Sequence, residues 1–205
     1  MADISTESAA TPGAIYLKDY QPPAWLVENV DLIFDLDADN TEVRSNLSIK
    51  KNPDYKNQTS SIVLNGHELE LISVSLNGQV LKQDDYKLYD EVMEIMEVPD
   101  QFDLELVTRI HPAANTALEG LYHSGKMLCT QCEAEGFRRI TYFPDRPDVM
   151  ATYTVTLRGD KNEYPVLLSN GNLIEEGVLD DGRHFATWHD PSLKPSYLFA
   201  VVAGQ

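Results

Sequence analysis

The stretch FDLELVTRI, Phe102 to Ile110, alternates apolar and polar residues, with Phe102, Leu104, Leu106, Thr108 and Ile110 on one side. A two-residue period sends successive side chains to opposite faces of an extended chain, so this is a strand with one buried and one wet face. The pattern recurs outward in both directions. Val30, Leu32, Phe34 and Leu36 alternate with Asp31, Asp35 and Asp37, and beyond the DADN turn at 37–40 Val43, Leu47 and Ile49 line one face of a hairpin partner. Ile62 to Leu64 forms a short strand stopped by Asn65-Gly66, and Leu69 to Leu76 faces Gln79 to Leu81 across Asn77-Gly78, a strong two-residue hairpin signal. Residues 84–100 hold seven acids against Lys87. Glutamates at 91, 94 and 97 allow a helical reading there, but Tyr86, Leu88, Val92 and Val98 sit among turn residues and Pro99 follows at once, which favours a strand.

The same grammar continues towards the C-terminus. Met150 to Leu157 sets Thr152, Thr154 and Thr156 against Ala151, Tyr153, Val155 and Leu157. Tyr164 to Leu168 is a strand, and Leu173 to Leu179 pairs with Arg183 to Trp188 across Asp181-Gly182. Tyr197 to Ala203 is almost wholly apolar, as a central strand covered on both faces would be. No segment reads as a helix longer than three turns. The expectation is an all-β fold, a large antiparallel β-sandwich with an irregular crossover from Asn115 to Asp148. Residues 1–14 are small and polar and are expected to be a flexible N-terminus, with residues 15–205 as a single β-domain. The apolar strand that ends in VVAGQ suggests a domain of a longer chain, and a natural terminal strand fits the pattern as well.

Composition narrows the function. Hydrophobic residues at 42% and charged residues at 24% are those of an ordinary globular domain, and 205 residues bury enough surface to need no covalent staple. Thirty-three acids against sixteen bases leave a net charge of -17, which opposes nucleic acid and anionic membrane as partners. The same field favours a cationic ligand such as a peptide ammonium. It also serves plain solubility. There is no run of eighteen apolar residues and no secretory signal, and the two cysteines are far from the density of a disulfide scaffold, so a cytoplasmic protein is expected.

Candidate chemistry concentrates in the crossover. Cys129 and Cys132 form a CTQC, which is either part of a metal or redox site with His111 and His123, or a pair of small buried thiols near a bend. No HExxH, G-x-S-x-G or phosphate-binding glycine pattern occurs, and His67, His184 and His189 make no helical ligand pair. Glu119, Glu133 and Glu135 crowd the same region, and in an extended segment Gln131, Glu133 and Glu135 would project to one side. Such carboxylates need a cation. Arg138, Arg139 and Arg146 would make a structural ion-pair network; a ligand ammonium would make a binding site with Gln131 as a neutral partner.

Four strings carry a resemblance: NTALEGLY (115–122), CTQCEAEGFRRITYFPDRPDV (129–149), YPVLLSNGN (164–172) and KPSYLFAVVAG (194–204). In content and order they resemble the amino-terminal domain of the M1 family of zinc metalloaminopeptidases, from about Ala14 to the end of the chain. The resemblance implies a saddle-like β-sandwich that packs on a catalytic domain of the same polypeptide. It implies zinc in the full-length enzyme and none bound by this domain, because the HExxH ligands and the GAMEN motif follow it. It also implies that Glu133 binds the free α-amino group of a peptide N-terminus and that Gln131 helps line the S1 pocket. On that reading the 205-residue fragment contains no catalytic residue and is inactive alone. The alternative is a stand-alone β-sandwich interaction module without catalysis.

Overall fold

The computed structural model describes residues 16–57 and 59–205, so the flexible N-terminus expected over 1–14 lies outside the described residues. The strands in chain order are β1 (Trp25–Asp35), β2 (Thr41–Lys51), β3 (Ile62–Asn65), β4 (Glu70–Leu76), β5 (Gln79–Val80), β6 (Tyr86–Leu88), β7 (Val92–Ile95) and β8 (Gln101–Ile110). After these come β9 (Gly120–Ser124), β10 (Met127–Gln131), β11 (Met150–Gly159), β12 (Val166–Ser169), β13 (Asn172–Val178), β14 (His184–Pro195) and β15 (Val201–Gly204). Helical structure among the described residues is limited to single 3-10 turns, as at Phe137–Arg139 and Ser196–Leu198. The class is all-β, as the alternation implies.

An eight-stranded sheet runs β13-β14-β11-β1-β2-β8-β4-β5. Its early half is built by local turns. At the β1–β2 turn, Asp37 Oδ1 accepts the amides of Asp39 (2.8 Å) and Asn40 (2.9 Å), while the Thr41 hydroxyl donates to the Asp37 carbonyl at 2.6 Å. This is the local bonding for which Asp favours turns. At β4–β5, Asn77 and Gly78 both take positive φ (49° and 78°), as the tight hairpin requires. The late half, β11, β14 and β13, is likewise antiparallel. The halves meet at a parallel seam, with β1 against β11 from Asn29↔Thr152 to Asp35↔Arg158. Alternation does not distinguish parallel from antiparallel neighbours, so the purely antiparallel expectation gains one parallel pair here.

Two smaller sheets complete the structure, β12-β15-β10-β9 and β3-β7-β6. All three sheets feed one core. In the acidic 84–100 segment Met93 and Ile95 are fully buried, and Glu97 at φ 56° ends the extended run, so the strand reading holds over the helical one. The aromatic centre joins Phe137 of the crossover to Phe143 (5.0 Å between ring centroids) and Phe199 (5.1 Å), both edge-on. Phe199 in turn stacks on Phe34 of β1. Such buried rings contribute large apolar area, and truncating one to alanine costs about 3–5 kcal/mol. The crossover is therefore anchored into the core at Phe137 and Phe143, while residues of its turns and strand ends reach the surface. At Gly66 the chain passes so close to Tyr142 that any Cβ would overlap its ring.

Two expectations are revised in detail. The segment from Tyr197 to Ala203 is not one strand: a 3-10 turn occupies Ser196–Leu198 and the strand begins at Val201. β15 is central in its sheet, between β12 and β10, but Val202 keeps one side partly open. The crossover also contains a hairpin, β9–β10, turning at Gly125 (φ 63°).

Candidate functional site

The β9–β10 hairpin delivers the crossover's polar residues to one edge of the molecule. β10 ends at Gln131, and the chain then turns tightly, closed by Gly136 N–H donating to the Cys132 carbonyl at 2.9 Å. Gln131, Glu133 and Glu135 are therefore not successive residues of one extended face, as expected from their spacing. Gln131 Nε2 donates back to the Glu133 carbonyl at 3.3 Å, and the peptide bond from Glu133 to Ala134 is cis. The turn still brings the carboxylates together. Glu133, Ala134, Glu135, Asp145, Pro147 and Tyr197 line an open cleft of about 260 Å³.

The arginines divide the acids between them. Arg138 pairs with Glu135 (Nη1 to Oε2, 3.3 Å) and, more deeply, with Asp145 (Nε to Oδ2, 3.0 Å). Arg139 pairs with Glu119 (3.2 Å) and with Glu68. Arg146 turns away from the cleft: it grips Asp148 through Nε (2.8 Å) and Nη2 (2.7 Å) and donates to the Gln21 carbonyl at 2.9 Å. Tyr20 adds its hydroxyl to Asp148 at 3.0 Å. The Arg146 hydrogen bond, reinforced by Tyr20, holds the Asp148 carboxyl below its usual range. Glu133 is exposed and has no ion-pair partner among the described residues.

The cysteines have a different environment. Cys129 lies on β10 opposite Tyr122, and Cys132 is buried. Burial, with Asp145 close by, pushes the Cys132 thiol well above its ordinary range, whereas a metal-binding or reactive cysteine needs its thiolate. His111 bonds the Asp39 carbonyl through Nδ1 at 2.6 Å and lines one cleft, while His123 lines another. Among the described residues no group of three or more His, Cys, Asp or Glu side chains is placed to hold a metal ion.

Spacing gave no sign of Asp145, Ser196 and Tyr197. Asp145 is 5% exposed, and its Oδ1 accepts the Ser196 hydroxyl. Its Pro-Asp-Arg-Pro context reads as a turn, and a turn aspartate is ordinarily solvated.

The three sheets and their shared core define an all-β domain whose edge carries a turn with an exposed Glu133 carboxylate over a cleft. The chain belongs to the Peptidase M1 N-terminal domain family, whose sequence profile matches residues 26–198. It is 50% identical over 194 residues to aminopeptidase N of Caulobacter vibrioides, covering 95% of this chain and 22% of that protein. Its structure resembles aminopeptidase A of Legionella pneumophila, solved in complex with aspartic acid, with a TM-score of 0.87, 38% identity, and coverage of 92% of this chain and 22% of that one. An M1 zinc metallopeptidase of Deinococcus radiodurans, solved with a Tyr-Ser-Ala substrate, shares the fold at a TM-score of 0.74 and 16% identity, covering 88% of this chain and 42% of that one. The chain thus spans about a fifth of the length of these two aminopeptidases, 22% in each case. No helix among the described residues is long and apolar enough to cross a membrane.

Proposed function

We propose that residues 15–205 act as one domain of a longer zinc-dependent aminopeptidase, in which Glu133 anchors the free α-amino group of a peptide and Gln131 forms part of the S1 wall. One observation carries the reading. Glu119 and Glu135 are each paired to an arginine, while Glu133, between them in sequence, stands over the cleft without an ion-pair partner among the described residues. A substrate ammonium supplies the missing cation. Once a catalytic domain closes over the cleft, the pair is shielded from water and from salt, which strengthens it. An acylated N-terminus would leave the same carboxylate desolvated and unpaired, so free amines are selected. The net charge of -17 favours the approach of a cationic peptide end.

Zinc and the general base would come from residues outside this chain, and the 205-residue chain alone would not hydrolyse peptides. The two unpaired cysteines fit a reducing cytoplasm. Replacing Glu133 by alanine in the full-length protein should lower kcat/KM for free-amine substrates by on the order of tenfold to a hundredfold, the cost of losing one hydrogen bond to a charged group. Steady-state kinetics on an aminoacyl-arylamide checks this, and a native kcat/KM would sink the assignment.

A further inference from the structure

Besides Glu133 and Glu135, the cleft is lined by a third carboxylate, Asp145, that the amine-anchor reading leaves unused. The Asp145 side chain is 2% exposed, and both of its oxygens are committed. Oδ2 accepts Arg138 Nε at 3.0 Å and the Arg138 amide at 3.3 Å, and Oδ1 accepts the Ser196 hydroxyl. Its own amide donates to Asn65 Oδ1 at 3.2 Å, which ties it to the end of β3. Asp145 is therefore fixed from three directions.

What it fixes is Arg138. That guanidinium gives Nε to the Asp145 carboxylate, Nη2 to the Asp145 carbonyl at 3.2 Å, and Nη1 to Glu135 at 3.3 Å. Arginine is long and permanently charged, and Glu133 lies on the same turn as Glu135 and lines the same cleft as both Glu135 and Asp145. An ion pair between Arg138 and Glu133 would neutralise the carboxylate that an ammonium needs. Arg138 instead pairs with the buried Asp145, where the pair is poorly screened, and not with the exposed Glu133.

We propose that Asp145 is a positioning residue that sequesters the Arg138 guanidinium and so keeps the Glu133 carboxylate open to an incoming ammonium. This rests on the reading of Glu133 as the amine anchor. The clamp also joins the substrate-facing turn to the 3-10 turn at Ser196–Leu198, so the Glu133 cleft is braced by two segments distant in sequence.

The test uses the full-length protein with an aminoacyl-arylamide and separates KM from kcat. Asp145→Asn keeps the shape and an acceptor for Ser196 but removes the charge that holds Arg138. KM should rise by on the order of tenfold, with kcat changed far less. Adding Arg138→Gln to Asp145→Asn removes the intruding charge and should bring KM back towards native. A merely structural clamp would leave the double variant as impaired as the single one or worse, and that result overturns the proposal. So does an unchanged KM for Asp145→Asn in a protein whose Glu133→Gln variant binds free amines poorly; the anchor reading would then stand without the clamp. If Glu133→Gln itself leaves KM at its native value, the anchor reading fails and this inference with it. Should Asp145→Asn not fold, Arg138→Lys takes its place. A lysine cannot reproduce the forked hold on Asp145, so it should raise KM in the same way, and a native KM would again overturn the proposal.

Discussion

At Gly136 the backbone leaves no room for a methyl group. A Cβ there would lie 2.4 Å from the Gln131 carbonyl oxygen, 2.9 Å from the Gly120 amide nitrogen and 3.0 Å from Cys132 Cα. Its φ of -80° is one that any residue adopts, so the requirement is purely steric. The atoms it would strike are backbone atoms of the strands that carry the site. Gly136→Ala should therefore destabilise the chain by about 1–3 kcal/mol, the range for forcing extra volume into packed structure. A lowered urea midpoint with an unchanged slope would show it; an unchanged midpoint would contradict the steric account. The site was partly legible at this scale. Gln131 and Glu133 stand out in the sequence because a dense group of carboxylates between apolar strands demands a cation, and the family resemblance implies the roles proposed for them. That Arg138 and Arg139 serve Glu135 and Glu119 was one of two open choices. Asp145 was not legible, because its burial depends on Arg138 seven residues away and Ser196 fifty-one residues away meeting at one point.

Among the elements, the lead-in segment before β1 is held by Asn52, which bonds the Pro23 and Ala24 carbonyls, and by a charged latch rather than by a strand ladder. Tyr20, Gln21, Arg146 and Asp148 form a latch between that segment and the end of the crossover. Because the Arg146 hydrogen bond depresses the Asp148 carboxyl in the folded chain, the latch contributes its stability above the unfolded carboxyl pKa, about 3.9. That contribution is lost as pH falls through the lower, folded value. Asp148→Asn should thus be less stable than the native chain at pH 7, and the difference should start to shrink below about pH 4 and vanish once the pH is below the lower, folded value. Urea midpoints of both proteins across that range decide it, and a constant difference would contradict the latch. The strands around the latch were readable from alternation and turn residues, since both are local. The β9–β10 hairpin was not, because its inward face is mixed: Leu121 and Leu128 are buried there, but the polar His123 and Thr130 share that face. Nor was the β1–β11 seam, because strands so far apart in sequence carry no mark of which neighbour they will take. The break at Ser196 was hidden by an apolar run that supplies a turn, a core anchor in Phe199 and a strand in succession.

Across the whole molecule, charge and sheet topology act against each other. β13 is the outer strand of the large sheet, paired only to β14, and it leaves Ile174 at 60% and Val178 at 70% exposed. An outer strand offers unpaired backbone groups to a second chain, and apolar side chains on it add attraction. Glu175 and Glu176 on the same strand, within a net charge of -17, oppose that pairing at neutral pH. The balance should shift as the carboxylates take up protons and the net charge approaches zero near the isoelectric point of about 4.5. That pH is still above the range in which the Asp148 latch is lost, so association there would involve folded chains. Light scattering should rise as pH is lowered from 7 towards 4.5 while the circular dichroism stays native, and Ile174→Lys should suppress the rise by placing a like charge on the strand edge. Scattering that is flat across this range, or identical for the variant, would show that the β13 edge carries no tendency to pair.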